Sequence, residues 1–234
     1  MINLRIMKKA EIPIRNLTVE VEIEVRDKQK VQSKTVDLLN RESVNDELFD
    51  TSRLLEDVLE RNNMSEAMYR VIRNKGSYGI DGMKTDELRE HVKKTWVTVK
   101  VKLLEGKYDS SPVRRVEIPK RDGGVRLLGI PTVQDRIIQQ AIAQVLSKLS
   151  KTTFSESSFG FRPNRDVKNA IKQSETYINQ GYKWIVDMDL EKIFDKVNHN
   201  ILMGKLEKKI KDKRLLKLII KYLESGVLIN GIKV

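Results

Sequence analysis

The chain has 234 residues, 39% hydrophobic and 33% charged, and its formal net charge is +12. This length and composition predict a helix-rich globular protein that can bury a core. The excess of lysine and arginine favours a polyanionic partner, nucleic acid above all, over a merely lysine-rich soluble protein. The absence of cysteine excludes disulfides and thiolate metal sites, and the presence of only two histidines argues against a zinc site. No apolar run is long enough to span a membrane and the first residues lack a signal-peptide core, so we expect a soluble, intracellular protein.

Residues 1–50 are patterned differently from the rest of the chain. Between Val19 and Val25, valine and isoleucine alternate strictly with glutamate, which is the period of a half-buried strand. Residues 27–50 are polar and weakly patterned. We therefore expect an N-terminal extension, residues 1–50, that holds one strand followed by a linker.

Helical periodicity begins near residue 51. Thr51 or Ser52 is expected to cap a first helix, and Asn63 with Glu66 forms a capping-box-like pair at the start of a second. Three glycines then break the pattern and predict a loop over residues 75–83. One or two further helices are expected before Gly106, which ends the periodic segment.

A β-hairpin is predicted over residues 114–129. Its two strands flank Arg-Asp-Gly-Gly, which supplies the turn residues. Next, Thr132 and Asp135 stand at the N-cap and N3 positions of another helix. The remaining elements are a helix over 166–180, a strand that ends at Asp189, two lysine-rich helices over 200–225 and a hairpin over 227–234.

Cationic side chains surround the tip of the predicted hairpin. Lys120, Arg121 and Arg126 flank a flexible Asp-Gly-Gly turn. Arginine binds phosphate as a fork and lysine as a point charge, so such a ribbon can hold a triphosphate. A charged turn that is simply solvated is the alternative, and on these residues alone it is the better supported of the two.

Residues 158–165 combine two phenylalanines with two arginines. Aromatic and arginine side chains together suit base stacking and phosphate pairing. Internal pairing of the arginines is the alternative, and the pattern supports both interpretations equally for Arg162 and Arg165. For Phe159 and Phe161 we expect positions in the core.

Residues 184–199 are the most informative stretch. A short β-branched run leads to Asp189 at the predicted end of a buried strand, where a charge is costly without a cationic partner. A Mg²⁺ ion that handles phosphates is one such partner, because it prefers one or two carboxylates together with phosphate oxygens. Asp187 is expected to be a surface charge. The lysine-rich helix 205–217 is expected to be a solvated face, with contact to an RNA backbone as the alternative.

The order of these motifs closely resembles that of the bacterial group II intron-encoded reverse transcriptases, also called maturases. From residue 118 the chain reads Ile-Pro-Lys-x-Asp-Gly-Gly-x-Arg-x-Leu-Gly-Ile-Pro-Thr-x-x-Asp-Arg, then Phe-Gly-Phe-Arg-Pro-x-Arg from residue 159, then Asp-Leu-x-x-x-Phe-Asp-x-Val-x-His from residue 189. Residues 67–83 match the N-terminal motif of the family. The resemblance covers about residues 52–234.

The resemblance implies an α+β fold with helical fingers, a β-hairpin and a truncated reverse-transcriptase palm built on an RRM-like mixed sheet. The implied domains are the fingers over 51–165 and a partial palm over 166–234, after the extension 1–50.

The resemblance also implies roles for single residues. Asp189 matches the catalytic aspartate that ligates two Mg²⁺ ions, and the carbonyl of Leu190 matches an assisting metal ligand. Phe194 matches the aromatic gate that selects deoxynucleotides. The implied dNTP-binding residues are Lys120, Arg126, Leu190 and Phe194. The implied RNA-binding residues are Arg73, Lys75, Gly76, Arg162 and Arg165.

The chain also departs from the family pattern. Ile193 stands where an aromatic residue is usual, and Asp166 stands where a serine is common, a change expected to weaken a helix cap or a backbone contact. The 234 residues contain neither the Pro-Gln-Gly motif nor the Tyr-Ala-Asp-Asp motif, which supplies the other two carboxylates. We therefore interpret the chain as a fragment that lacks part of the two-metal site and does not synthesise DNA.

The implied partners are group II intron RNA, an RNA template with a DNA primer, and dNTPs, in a cytoplasmic, nucleoid-associated ribonucleoprotein that serves splicing and retrohoming. No membrane partner is expected. A non-catalytic intron-RNA-binding module and a reverse transcriptase of the retron or diversity-generating type are the alternatives. The last strands, 227–234, leave a sheet edge that permits a homodimer or that the strand over 19–25 covers.

Overall fold

The computed structural model describes residues 2–8, 50–121, 123–151, 153–190, 193–229 and 232–233. In these ranges the strands are β1 Ile2–Lys8, β2 Val113–Pro119, β3 Val125–Ile130, β4 Trp184–Leu190, β5 Val227–Ile229 and β6 Ile232–Lys233. The helices are α1 Leu54–Val58, α2 Arg61–Arg73, α3 Leu88–Leu104, α4 Val133–Ser150, α5 Val167–Asn179, α6 Ile193–Lys196, α7 His199–Lys209 and α8 Lys213–Leu223. The protein is therefore of the predicted α+β class.

The chain divides into two compact units. The first, called here the strand unit, contains β1 together with the described part of residues 153–197. The second, called the core unit, contains the described residues of 50–151 and 198–233. These units are clusters of contacts, whereas fingers and palm are functional divisions, so the predicted boundaries of fingers and palm stay a prediction.

The core unit takes its name from its buried side chains. All of the buried hydrophobic side chains in the described part of the chain belong to it, and α1, α2, α4 and α8 supply most of them. Leu55, Ala67, Ala141 and Leu215 have no exposed surface. In each helix these residues recur at three- and four-residue intervals, so one stripe of the helix faces the core.

The start of α2 differs from the prediction. The helix begins at Arg61, and the side chain of Glu60 caps it by accepting a hydrogen bond from the backbone N–H of Asn63. Asn63 is itself buried inside the helix. Its amide group donates to the carbonyl of Val58 at 2.9 Å and accepts from Gln144 at 2.7 Å. The side chain of Asn63 therefore joins α2 to α4 through hydrogen bonds. The predicted capping role of Asn63 was wrong.

Other helix ends show which short-range signals were reliable. Thr132 caps α4 and accepts a hydrogen bond from the N–H of Asp135, as predicted. A single helix fills 88–104, and Gly106 follows its C-cap in a left-handed conformation with φ of +67°. Thr51 and Ser52, the predicted caps of the first helix, instead lie inside a short 3₁₀ turn, Thr51–Arg53. The cap of this turn is Asp50, whose carboxylate accepts a hydrogen bond from the N–H of Ser52.

A mixed sheet with the strand order β3-β2-β5-β6 completes the core unit. The predicted hairpin is confirmed, with β2 and β3 antiparallel and Ile118 opposite Arg126. β5 pairs in parallel with β2, and β6 pairs with β5 across a two-residue connection. The predicted turn residues of that connection, 230–231, lie outside the described residues, as does the predicted strand 19–25.

An ion-pair network joins the two ends of the core unit. The guanidinium of Arg214 donates to both carboxylate oxygens of Glu56, at 3.0 and 2.7 Å, and also to Asp212. Burial opposes ionisation of Asp212, yet hydrogen bonds from Arg214 and from the N–H of Leu55 hold the pKa of Asp212 below its ordinary value. The network therefore fastens α8 to α1.

The strand unit has a different character. β1, a strand that the sequence did not predict, pairs antiparallel with β4 along its whole length. Asp166 forms a complete capping box with Asn169 at the start of α5, so the expectation of a weakened cap was wrong. No side chain in the described part of this unit is buried, and Trp184 and Ile185 are more than half exposed. The predicted burial is therefore wrong at Trp184 and Ile185, because a two-stranded sheet covers few of its own side chains.

Candidate nucleic-acid interface and nucleotide site

Three of the predicted RNA-binding residues lie together at the end of α2. Arg73 is in the last turn of the helix, and Lys75 and Gly76 open the predicted loop 75–83. All three are exposed. Lys75 has a positive φ of +46°, which turns the chain sharply away from the helix axis. The predicted set thus forms one cationic corner of the core unit.

The loop 75–83 is held against the core unit by two arginines that the sequence interpretation did not single out. Arg136, on α4, donates to the carbonyl of Ser77 at 2.5 Å. Arg114, on β2, donates to the carbonyl of Tyr78 at 3.1 Å and lies 4.4 Å from the centre of its ring. The alternation of β2 and the position of Arg136 in the first turn of α4 were the signals available in the sequence.

Two glycines allow this close approach. A Cβ atom at Gly79 would lie 2.6 Å from the backbone of Thr132, which cannot move without shifting the start of α4. At Gly76 a Cβ atom would lie 2.6 Å from the guanidinium of Arg136. The glycines of the motif therefore serve packing at these positions, and the loop presents its cations from a fixed base.

The predicted triphosphate-binding cations lie on one ribbon. Lys120 follows β2 and Arg126 is the second residue of β3. The backbone N–H of Lys120 donates to the carbonyl of Gly124 at 2.6 Å, and Gly123 has φ of +84°, so the tip is a tight turn. Both cations are exposed, and within the described residues neither makes an ion pair. They are available to an anionic ligand.

A buried carboxylate fixes the base of this ribbon. Asp135 is 1% exposed and accepts hydrogen bonds from the hydroxyls of Tyr108 at 2.8 Å and Tyr222 at 3.2 Å. It also accepts from the N–H of Ser111, two residues before β2, at 3.2 Å. Burial, together with the negative charge of Asp135, raises the pKa of the Tyr108 hydroxyl well above its ordinary value. Both tyrosines therefore stay protonated donors at neutral pH.

The predicted catalytic residues belong to the strand unit. Asp189 and Leu190 end β4, where their backbones pair with Asn3 and Ile2. The side chains of Asp189 and Leu190 lie outside the described part of the structure. Phe194, in the short helix α6, is 91% exposed. The proposed aromatic gate thus presents its ring to solvent in this unit.

The two arginines of the loop 158–165 contact side chains within the loop or just before it. Arg162 lies 4.7 Å from the centre of the Phe154 ring, and Arg165 lies 5.4 Å from that of Phe159. Arg165 also pairs with Glu156. Phe161 is fully exposed with φ of +55°, so its predicted core position was wrong, because the left-handed backbone turns the ring away from the loop.

The described residues provide few oxygen ligands for a metal ion. Among the described residues no group of three or more histidine, aspartate or glutamate side chains lies close enough to hold a metal ion. Asp187, the neighbouring acid on β4, is exposed, as expected for a surface charge. A pair of Mg²⁺ ions needs more oxygen donors than one carboxylate and a carbonyl, so the described residues do not fit this group by themselves.

Comparison with known proteins identifies the family. The family model described as "Reverse transcriptase (RNA-dependent DNA polymerase)" matches residues 118–233, which include the ribbon, the Phe-Arg loop and β4. Residues 118–233 of the chain belong to the reverse transcriptase family. The relatives of the chain include group II intron-encoded proteins, as the motifs predicted.

Three relatives set the scale of the similarity. Protein YkfC of Escherichia coli K12 is 32% identical over 180 residues, which are 74% of this chain and 47% of YkfC. The group II intron-encoded protein LtrA of Lactococcus lactis is 38% identical over 129 residues, or 55% of this chain and 21% of LtrA. The putative COX1/OXI3 intron 2 protein of Saccharomyces cerevisiae is 41% identical over 116 residues, or 50% of this chain and 14% of that protein.

The chain thus spans about half the length of YkfC and about a fifth of LtrA. In the described part of the chain, no helix has both the length and the apolar composition needed to cross a membrane.

Proposed function

We propose that this chain contributes the fingers and part of the palm of an RNA-directed DNA polymerase encoded by a group II intron, and that it binds the intron RNA as a maturase in splicing and retrohoming. The observation that carries the proposal is the pair of cationic, exposed elements on one core: the loop 75–83 and the hairpin tip. Hydrogen bonds from Arg136 on α4 and Arg114 on β2 hold the loop, and the hairpin tip joins β2 to β3.

Each element suits a different anion. Arg73 and Lys75 lie on a convex corner that can follow an RNA backbone, where phosphate contacts position the strand. Lys120 and Arg126 lie on a narrow ribbon that can hold the triphosphate of a dNTP. Phe194, in α6 of the strand unit, would act as the aromatic gate that excludes a 2′-hydroxyl from a bound nucleotide. Arg162 and Arg165 would exchange their contacts within the loop for phosphates of the template.

Asp189 and the carbonyl of Leu190 would supply part of a Mg²⁺ site. In a complete site of this kind, two Mg²⁺ ions would supply positive charge for a primer oxygen and for a leaving pyrophosphate. Because the chain has no Tyr-Ala-Asp-Asp motif, we propose no reaction step through these ions, and we expect the 234-residue chain by itself to be inactive in DNA synthesis.

The proposed partners are group II intron RNA, an RNA template with a DNA primer, and dNTPs, in a cytoplasmic ribonucleoprotein. A homodimer formed through the edge of β6 belongs to the same proposal. A non-catalytic RNA-binding module is the second candidate. It is favoured by the position of Lys75, Lys120 and Arg126, which all belong to the core unit with its buried side chains.

The experiment combines RNA binding with primer extension. The 234-residue chain is titrated with a group II intron RNA over a series of salt concentrations, and is then supplied with a primed RNA template, dNTPs and Mg²⁺. We expect binding that weakens steeply and linearly in log Kd against log salt, since each phosphate contact releases counterions. No primer extension is expected.

Two variants make the test specific. Lys75→Ala, Lys120→Ala and Arg126→Ala together should weaken binding at least about tenfold, because three phosphate contacts are removed. The matched control, Lys168→Ala, Lys172→Ala and Lys183→Ala together, removes the same charge from the strand unit and should bind nearly as the unchanged chain does. Equal binding by both variants would contradict the proposed RNA surface, and Mg²⁺-dependent primer extension would contradict the expected inactivity.

A further inference from the structure

A second basic surface lies on the core unit, apart from the loop 75–83 and the hairpin tip. Helix α3 turns one face inward, where Leu88, Val99 and Leu103 are buried. On another face Lys94, Thr98 and Lys102 recur at four-residue intervals, so they lie in one row along the helix. All three are exposed.

The row borders a polar cleft of about 430 Å³ between α3 and the segment that precedes β2. Its lining is rich in hydroxyl, amide and ammonium groups, among them Lys94, Thr98, Lys102, Lys107, Ser111 and Gln134. Asp109 is the one acidic residue in this lining. A cleft with this composition suits a highly charged oxyanion better than an apolar ligand.

Helix α8 continues the basic surface. The ammonium group of Lys221 donates to the carbonyl of Tyr108 at 2.8 Å and to Asp109 at 2.7 Å, and this holds the segment 106–109 against α8. Lys217 lies one turn before Lys221 and is exposed. The hydrogen bond from Lys221 is the main cause that keeps the pKa of Asp109 below its ordinary value, and the charges of Lys102 and Lys217 lower it further, so cations from α3 and α8 act on this carboxylate.

The nearby acids are already neutralised. Glu90 pairs with Lys93 at 2.7 Å, Glu105 with Lys107 at 2.8 Å, and Asp109 with Lys221 at 2.7 Å. Within the described residues, the remaining cations of the surface, Lys94, Lys102 and Lys217, make no ion pair. None of these three lysines is neutralised by a direct ion pair, and lysines from two helices around one already paired carboxylate create a local positive potential that attracts polyanions.

We propose that Lys94, Lys102 and Lys217 form a second contact surface for the phosphate backbone of the bound RNA, which we call the α3–α8 stripe. This inference rests on the proposed RNA-binding function. Phosphate is the ligand because lysines bind phosphate as point charges whatever the base, and the Thr98 hydroxyl between Lys94 and Lys102 adds a further donor. The stripe gives the protein RNA contacts that do not depend on the template-facing loop.

The test removes the stripe and compares it with two other variants. The stripe variant is Lys94→Ala, Lys102→Ala and Lys217→Ala together. Binding to intron RNA is measured over a salt series and compared with the strand-unit control, Lys168→Ala, Lys172→Ala and Lys183→Ala together. We expect the stripe variant to bind about tenfold to a hundredfold more weakly and to lower the salt slope by about 2 to 3, roughly one per phosphate contact.

The variants also separate this inference from the proposed function. If the unchanged chain binds no RNA, the proposed function fails and the stripe fails with it. If the chain binds, the loop and hairpin variant is weakened, and the stripe variant matches the control in affinity and slope, only the stripe is refuted. Inorganic phosphate and a single nucleotide are also added as competitors. If millimolar amounts displace RNA from the control but not from the stripe variant, the surface is a small-anion pocket. That result would also overturn the assignment of the stripe to the RNA backbone. Circular dichroism and thermal unfolding confirm that each variant is folded.

Discussion

The core unit and the strand unit both contain helices and strands, yet among the described residues only the core unit has buried side chains. In the core unit α2, α4 and α8 turn apolar stripes inward, and Leu55 and Leu215 lose all contact with solvent. In the strand unit α5 is equally amphipathic in sequence, but Val167 is 74% exposed and Ile171 is 54% exposed. An amphipathic helix therefore reports that a partner face is needed, and it does not report where that face is.

This difference matters for function because the proposed activities fall on different units. The cations of the loop 75–83, the hairpin tip and the α3–α8 stripe all stand on the buried core. Asp189 and Phe194 stand on a two-stranded sheet and a four-residue helix with no buried side chain among the described residues. RNA binding needs a fixed charged surface, which the core unit has. Phosphoryl transfer needs metal ligands held to within a fraction of an ångström, which requires a packed shell around them.

The largest expected difference comes from truncating one apolar side chain in each unit. Leu55→Ala should lower the free energy of unfolding by about 3 kcal/mol, because a fully buried leucine leaves a cavity. Ile185→Ala, at a side chain 52% exposed, should change it by less than about 1 kcal/mol. Urea unfolding followed by circular dichroism measures both. Equal losses would mean that the strand unit has a core comparable to that of the other unit.

A pair of glycines tests the same contrast at the backbone. Gly79→Ala should cost about 1 to 3 kcal/mol, since the new Cβ atom would lie 2.6 Å from the backbone of Thr132. Gly160→Ala is the control, because nothing lies within 4 Å of a Cβ atom there. Thermal unfolding and RNA binding are measured for both. We expect only Gly79→Ala to weaken RNA binding, and an unaffected Gly79→Ala would refute the fixed base assigned to the loop.

Helix caps give a smaller effect of the same order in both units but a different readout. Removal of either cap leaves backbone donors unsatisfied at a cost of about 1 kcal/mol. Thr132→Ala should lower the global unfolding midpoint, because α4 lies at the centre of the core. Asp166→Ala should instead lower helical content alone, measured by circular dichroism before the main transition. A global shift from Asp166→Ala would show that α5 unfolds together with the core.

The smallest effect at neutral pH concerns acid stability. The guanidinium of Arg214 holds the pKa of Glu56 below its ordinary value of 4.5. The ionised form is therefore stabilising above pH 4.5, and this contribution is lost as the pH falls through the lower pKa of the folded state. Glu56→Gln should lose less stability than the unchanged chain between about pH 5 and pH 3. Glu66→Gln, at the exposed pair with Arg70, is the control and should follow the unchanged chain.

Much of the core unit follows from short-range sequence signals. The Thr132 cap, the hairpin and the lysine-rich helices depend on residues a few positions apart, and the structure contains each of them. Asn63 was misread because its hydrogen bonds reach Gln144, 81 positions away, and no local pattern encodes that distance. The pairing of β1 with β4 joins two segments that are far apart in the sequence, so no local pattern predicts it either.

The candidate site shows the same division. The motifs identified Lys75, Lys120 and Arg126 by their order in the chain, and all three are exposed residues of the loop 75–83 or of the hairpin. The supports of the loop and the hairpin, Arg136 and the buried Asp135, act through contacts between elements. Phe161 was assigned to the core on its residue type, but a left-handed backbone exposes it. Residue type and spacing find the groups that meet a ligand, and tertiary contacts decide which of them are held in place.

Amide hydrogen exchange of the chain, alone and with intron RNA, tests the central claim most directly. Without RNA, we predict slow exchange in α4 and near-intrinsic exchange in α5 and β4, because only the first lies in a buried core. With RNA, added protection should appear in the loop 75–83, in the hairpin tip and along α3, and not in α5. Equal protection of α4 and α5 in the free chain, together with RNA-dependent protection confined to the strand unit, would contradict the account.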